Sequence, residues 1–237
     1  MIVFEKCYII VLSILIKDKI MRMRFKPFAR GELEENPFVF YNPIENKGKW
    51  KEIFKNDNPI HLEIGAGFGK FAITISNKNP NINYVAMEMD ERVFVYAGRE
   101  FKRENLSNLF GIRNMAENLA NFFEKDEISK IYINFCNPWP KRNQHKRRLT
   151  HPRHLEIYKK ILKIGGEIEF KTDQEKFFED SIKYFERNDF EIIEKIYDLG
   201  IDEKKDNIVT EYEQKWREKG DKIYYLKARL MDVNKGD

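Results

Sequence analysis

The chain of 237 residues has only two cysteines, Cys7 and Cys136, far apart and outside any CxxC spacing. That excludes a disulfide framework and a cysteine-built zinc site, and a reducing, cytoplasmic setting is the simpler expectation. The HExxH, GxSxG and GxxxxGKS/T patterns are all missing. Zincin, serine-hydrolase and P-loop readings therefore lack their signatures. Long apolar runs are missing too. The run from Tyr8 to Ile16 covers nine residues, where a membrane-spanning helix needs about twenty. It has the length of a signal-peptide core, but Glu5 and Lys6 precede it and Lys17-Asp18-Lys19 follows in place of a small-residue cleavage site. Residues 1–20 are accordingly expected to be an upstream extension, with Met21 as the functional start and no membrane association.

Acidic residues are absent from one stretch. Lys plus Arg number 43 and Asp plus Glu number 39, giving a net charge of +4. Residues 128–155 carry no acid and seven positive charges: Lys130, Lys141, Arg142, Lys146, Arg147, Arg148 and Arg153. Outside that window 36 positive charges face 39 negative ones, a balance of −3. The positive excess is local, and a local acid-free run suits a polyanion.

What is present is core material. The chain is 42% hydrophobic, with 19 Phe and 11 Tyr, too apolar for a disordered segment. Residues 24–50 are punctuated by Pro and Gly yet rich in aromatics, which predicts an irregular but ordered arm lying on a domain that begins near residue 59. From there short apolar runs alternate with helical patterns. Strands are expected at 60–64, 83–88, 109–112, 131–136, 167–171, 190–197 and 222–230. Helices are expected at 68–77, from Asp90 to about 101, at 118–123, 151–162 and from an Asp173 cap to 187. Five strand–helix repeats predict a mostly parallel sheet with helices on both faces, closed by an antiparallel terminal pair.

Ligands bind such sheets outside the carboxyl ends of the strands. After the first of these strands comes Glu63-Ile64-Gly65-Ala66-Gly67-Phe68-Gly69. Three glycines permit a tight turn and close backbone approach. The pattern is GxGxG, not the dinucleotide GxGxxG, and Glu63 would repel a phosphate. A cationic or zwitterionic ligand fits better. Glu88 ends the second strand 19 residues past Gly69, a placement suited to ribose hydroxyls. Asn114 follows the third strand and could bond an adenine edge. Asn137-Pro138-Trp139-Pro140 follows the fourth, a loop stiffened by two prolines around an aromatic that can stack on a base. Lys171-Thr172-Asp173 follows the fifth, and Thr210-Glu211-Tyr212-Glu213 lies in an ordered loop or short helix.

Together these motifs resemble class I S-adenosylmethionine-dependent methyltransferases. More narrowly, Asn134 to Arg142, His145 to Leu149, Lys171-Thr172-Asp173 and Thr210-x-Tyr212-Glu213 are similar to the bacterial tRNA (guanine-7-)-methyltransferases. The likeness runs from about Met21 to Leu230 and includes Met21-Arg22-Met23-Arg24-Phe25-Lys26-Pro27-Phe28-Ala29. The resemblance implies a Rossmann-like α/β fold, with a seven-stranded sheet and an antiparallel terminal strand spanning 59–237, and residues 21–58 packed on it. It implies S-adenosyl-L-methionine as cofactor, held by Glu63, Gly65, Gly67, Gly69, Glu88, Asn114 and Asn137. It also implies Asn137 at the catalytic position. Lys141, Asp173, Thr210, Tyr212 and Glu213 would contact the guanosine, and Asn143, Gln144, His145, Lys146, Arg147 and Arg148 the tRNA. No metal is implied, and either a monomer or a homodimer is compatible. The target would be guanine nitrogen-7 of the variable-loop guanosine.

One departure stands out: the family usually has Asp where this chain has Asn137. Guanine nitrogen-7 carries an in-plane lone pair and needs no general base, so alignment carries most of the catalysis. A carboxylate would additionally stabilise the cationic base as it forms. Asn-Pro-aromatic also resembles the motif of amino-group methyltransferases, which keeps that activity as an alternative. A non-catalytic RNA-binding protein on the same fold is a second, and a nicotinamide dehydrogenase is disfavoured by GxGxG and Glu63.

Overall fold

The computed structural model describes residues 24–200, 204 and 207–232; the expected extension 1–20 and the Met21 start lie outside the described residues. The strands run β1 (Val39–Phe40), β2 (Ile60–Ile64), β3 (Asn83–Glu88), β4 (Leu109–Arg113), β5 (Ile128–Asn134), β6 (Leu162–Thr172), β7 (Phe190–Ile196) and β8 (Tyr224–Leu230). The helices are α1 (Phe28–Glu34), α2 (Trp50–Phe54), α3 (Lys70–Lys78), α4 (Glu91–Glu104), α5 (Leu119–Phe122), α6 (Pro152–Tyr158), α7 (Glu175–Glu186) and α8 (Glu211–Glu218).

All eight strands form one sheet in the order β1-β4-β3-β2-β5-β6-β8-β7. β8 inserts antiparallel to both β6 and β7, and the other pairings are parallel. Period-two alternation splits the strands between two faces. Leu62, Ile64, Val85, Met87, Ile131 and Ile133 enter one core, while Tyr84, Ala86 and Tyr132 enter the other. Both faces are buried, as a parallel sheet requires. The central strands β2 to β6 all end on one edge, and the motifs singled out above collect there.

Four expectations need correction. The sheet has eight strands, not seven, because the arm supplies β1: Val39 and Phe40 pair in parallel with Gly111 and Ile112. The arm is also less irregular than its prolines suggested. Its helix α1 packs where a Cβ on Gly98 would be 3.0 Å from Leu33, and Trp50 donates its indole N–H to the Phe122 carbonyl at 2.9 Å. Helix α6 stops at Tyr158 because β6 begins at Leu162 and runs straight through Gly165-Gly166. Those glycines sit in an irregular start of the strand, where Gly165 has φ 77° and a Cβ on Gly166 would lie 2.8 Å from Leu162. Finally, Gln174 rather than Asp173 precedes α7, without a side-chain cap; Thr172 Oγ1 accepts the Gln174 N–H at 3.1 Å.

Candidate active site

The glycine turn after β2 is folded inward. The N–H groups of Gly65 and Ala66 both donate to the Met87 carbonyl at 2.9 Å, and Gly67 N–H donates to Glu88 Oε2 at 3.1 Å. These amides are committed to β3, so they do not form the amide cradle that a pyrophosphate needs. The three glycines are required for different reasons. Gly65 and Gly67 have φ 85° and 56°; a Cβ on Gly65 would only touch Leu149 at 4.0 Å, and one on Gly67 would meet nothing within 4 Å. Gly69 has φ 75°, and its Cβ would fall 2.7 Å from Phe101 and 2.8 Å from Ala97. Its missing side chain is what lets α4 pack against the turn.

Glu63 sits at the floor of this edge, 5% exposed. Asn134 Nδ2 donates to its Oε1 at 3.3 Å, and its buried Oε2 has no hydrogen-bond partner. Burial pushes its carboxyl up to about 7, against smaller downward pulls from Asn134 and the Lys171 ammonium. A buried carboxylate oxygen with an open valence is a site for a ligand donor, since such groups in proteins are otherwise satisfied. Glu88 is engaged differently. Its Oε1 accepts from Met89 N–H at 2.8 Å and Asp90 N–H at 2.9 Å, while Oε2 holds Gly67. Three of roughly four lone-pair positions are thus used in bracing the turn. The residues that follow Glu88, Met89 to Arg92, line an open depression of about 240 Å³ together with Phe25 and Arg113. Asn114 ties the arm to this edge. Its Nδ2 donates to the Tyr41 carbonyl at 2.9 Å, and its Oδ1 accepts from Met115 N–H and Asn118 Nδ2 at 2.9 and 2.7 Å. One amide hydrogen remains for a ligand.

Beyond β5 the chain enters two left-handed residues, Phe135 (φ 49°) and Trp139 (φ 42°). Asn137 is exposed, and its Oδ1 accepts the Trp139 N–H at 3.0 Å. Trp139 is half-buried under Arg147, whose guanidinium lies 5.0 Å from the ring centroid. The turn at Arg142–Arg147 follows, placing Lys141, Arg142, Asn143, Lys146 and Arg147 at the surface, with Gln144 and His145 half-buried. His145 Nε2 approaches the Pro140 carbonyl at 3.4 Å.

The basic run therefore splits, which corrects the expectation for Arg148. That side chain is buried, donates to the Pro138 carbonyl and to Asp180 Oδ2 at 2.7 Å each, and lies over the Phe177 ring. It is unavailable to a polyanion. Lys130 pairs with Glu169 at 2.6 Å, and Arg153 with Glu117 at 3.3 Å. Four of the seven charges, on Lys141, Arg142, Lys146 and Arg147, stay outward without a carboxylate partner among the described residues.

On the other side, α8 is pinned over the edge. Lys171 Nζ, at the end of β6, donates to Glu213 Oε2 at 2.8 Å, Asn207 Oδ1 at 3.1 Å and the Ile208 carbonyl at 3.0 Å. Glu213 is fully buried and also receives Asn207 and Arg217 at 3.0 and 2.7 Å. Burial alone would raise its carboxyl, but Lys171, Arg217 and Asn207 outweigh it and hold the carboxyl below its usual range. Burial pulls the Lys171 ammonium down, and Glu213 restores part of the loss. Thr210 caps α8, accepting the Glu213 N–H at 3.0 Å. Tyr212 is exposed, and Asp173 is half-buried with Gln174 on its carboxylate. The expectation that Glu213 contacts the guanosine needs correction, because its carboxylate is enclosed and held by Lys171, Asn207 and Arg217, and sequence reasoning missed Asp180 altogether. A buried salt bridge across 42 residues and a helix-borne Asp reaching a loop Arg leave no spacing signal.

A comparison with protein-family models matches residues 57–226 to the family described as "Putative methyltransferase". A tRNA (guanine-N(7)-)-methyltransferase of Clostridium tetani is 50% identical over 210 residues, 89% of this chain and all of that protein. One of Desulfitobacterium hafniense is 45% identical over 216 residues, 91% of this chain and all of that protein. Among solved structures, a SAM-dependent methyltransferase from Aquifex aeolicus superposes with a TM-score of 0.54 at 12% identity, covering 88% of this chain and all of that one, which bears on the fold.

Proposed function

The chain belongs to the tRNA (guanine-N7)-methyltransferase family, and from that premise we propose that it methylates guanine nitrogen-7 in tRNA, at the variable-loop guanosine, in a cytoplasmic setting. S-adenosylmethionine, when bound, supplies an electrophilic methyl group on a sulfonium. The residues present fit such a ligand. The unpartnered Oε2 of Glu63 suits a cationic or hydroxyl donor, the backbone at Gly65 and Gly67 allows close approach, and Glu88, ending β3, and Asn114, just past β4, lie at the ends of neighbouring strands on the same edge.

The observation that carries the reading is one juxtaposition along a single sheet edge. An orphaned buried carboxyl lies after β2, an exposed Asn137 is fixed in a rigid loop after β5, and four unpaired basic side chains follow that loop at once. Asn137 holds its position by its own backbone turn and faces the target base; it moves no proton. Lys141, Asp173, Thr210 and Tyr212 border the guanosine, and the enclosed Glu213 carboxylate holds α8 in place through Lys171. Asn143 to Arg147 hold tRNA phosphates. An amino-group methyltransferase is the weaker reading, because the relatives at 45–50% identity are tRNA (guanine-N(7)-)-methyltransferases.

The test is direct. Labelled S-adenosylmethionine and unmodified tRNA are incubated with the protein, and the digested nucleosides are separated. Labelled 7-methylguanosine supports the proposal. N-methylated adenosine or cytidine supports the amino-group reading, and no label means a non-catalytic binder.

A further inference from the structure

Trp139 occupies a left-handed backbone conformation, φ 42°, that a bulky residue adopts only when its surroundings impose it. The imposing contacts are visible on one peptide unit. Its carbonyl, that of Pro138, accepts Arg148 Nε at 2.7 Å, and its N–H, that of Trp139, donates to Asn137 Oδ1 at 3.0 Å. Arg148 is in turn held by Asp180 Oδ2 at 2.7 Å, with its guanidinium 4.9 Å from the Phe177 ring centroid. The Arg148 backbone is fixed as well, because His154 Nδ1–H donates to its carbonyl at 2.9 Å. The Arg148 side chain is 2% exposed and that of Asp180 25%.

The geometry points to Arg148 and Asp180 as positioning residues for the methyl-transfer step: they clamp the Pro138–Trp139 peptide and through it orient the Asn137 amide. This rests on the functional reading above. A guanidinium donating to the carbonyl of a peptide strengthens the N–H of the same peptide as a donor. Arg148 thus tightens the hold on Asn137 without touching any substrate. Asp180, on α7, balances the charge that this buried arginine brings into the core.

Asp180→Ala and Asp180→Asn are compared with the wild type for kcat, for S-adenosylmethionine and tRNA dissociation constants, and for melting temperature. Misplacing a reacting group by about an ångström costs on the order of a hundredfold in rate. Asp180→Ala is therefore expected to lose roughly ten- to a hundredfold in kcat, with both dissociation constants within about twofold. Asp180→Asn, which keeps an acceptor for Arg148, is expected to recover most of the loss even if the alanine variant folds poorly. Unchanged kcat in Asp180→Ala, or in both variants a loss of affinity and melting temperature that accounts for the rate, overturns the inference while leaving the functional reading intact. A wild type that makes no 7-methylguanosine overturns both.

Discussion

Asn137 Oδ1 accepts the N–H of Trp139, two residues on, at 3.0 Å. This turn engages one lone pair of the amide oxygen and leaves the exposed end of the side chain an uncharged amide. An aspartate in the same turn would present a second, negatively charged oxygen instead. The base becomes cationic as nitrogen-7 is methylated, so the charged oxygen stabilises the transition state where an amide N–H does not. Asn137→Asp is expected to raise kcat several-fold with the S-adenosylmethionine dissociation constant unchanged. A fall in kcat in a tRNA methylation assay would reject this electrostatic account.

Glu63 makes stability depend on pH. Its carboxyl titrates at about 7 in the folded chain against an ordinary value of 4.5, so folding favours its protonated form. That stabilisation is complete below the ordinary value and is lost as pH rises through 7. By linkage the loss at pH 8 is about 3 kcal/mol. Glu63→Gln is expected to melt like the wild type near pH 5 and at higher temperature near pH 8, while binding S-adenosylmethionine more weakly. A melting difference that does not vary with pH would contradict the assignment.

Neighbouring arginines should behave oppositely. Arg147→Ala removes an exposed charge and is expected to weaken tRNA binding, to flatten its salt dependence by about 0.7 to 0.9 log units per log unit of salt, and to leave stability unchanged. Arg148→Ala removes a buried partner of Asp180 and is expected to destabilise by about 3 kcal/mol in denaturant unfolding. Equal effects of the two on tRNA affinity would mean that the buried arginine reaches the RNA after all.

The pair Lys171 and Glu213 is fully enclosed. Glu213→Ala strands the ammonium in the interior and is expected to cost about 3–5 kcal/mol. Replacing both, as Lys171→Met with Glu213→Leu, should return much of that loss, because the enclosed ammonium is gone and the remaining partner, Arg217, is 17% exposed and reaches solvent. Urea unfolding midpoints of the three proteins decide it.

The glycines of the turn separate by mechanism. Gly69→Ala pushes a Cβ into Phe101 and Ala97 at 2.7 and 2.8 Å, and is expected to unfold the turn–helix contact at a cost of more than about 2 kcal/mol. Gly67→Ala meets no atom and carries only the left-handed backbone penalty of about 1 kcal/mol. Its expected deficit is in S-adenosylmethionine affinity. Calorimetric melting and ligand titration distinguish the two.

Much was determined by sequence alone. The alternation of buried strands with helices, the glycine turn and its acidic flank, and the order of the motifs placed the sheet and the candidate edge, because hydrophobic periodicity and turn chemistry are local properties. Tertiary structure alone decided the edge strand taken from the arm, since Val39–Phe40 is too short to show a period, and the passage of β6 through Gly165-Gly166, where the strand absorbs two glycines that read as a stop. It also decided which charges face outward. Seven cations in an acid-free window look alike in a sequence. Three of them are neutralised by acids far away in the chain: Lys130 by Glu169, Arg148 by Asp180 and Arg153 by Glu117. Whether a charge meets solvent or a carboxylate depends on which segments the fold brings together, and nothing in the local pattern records that.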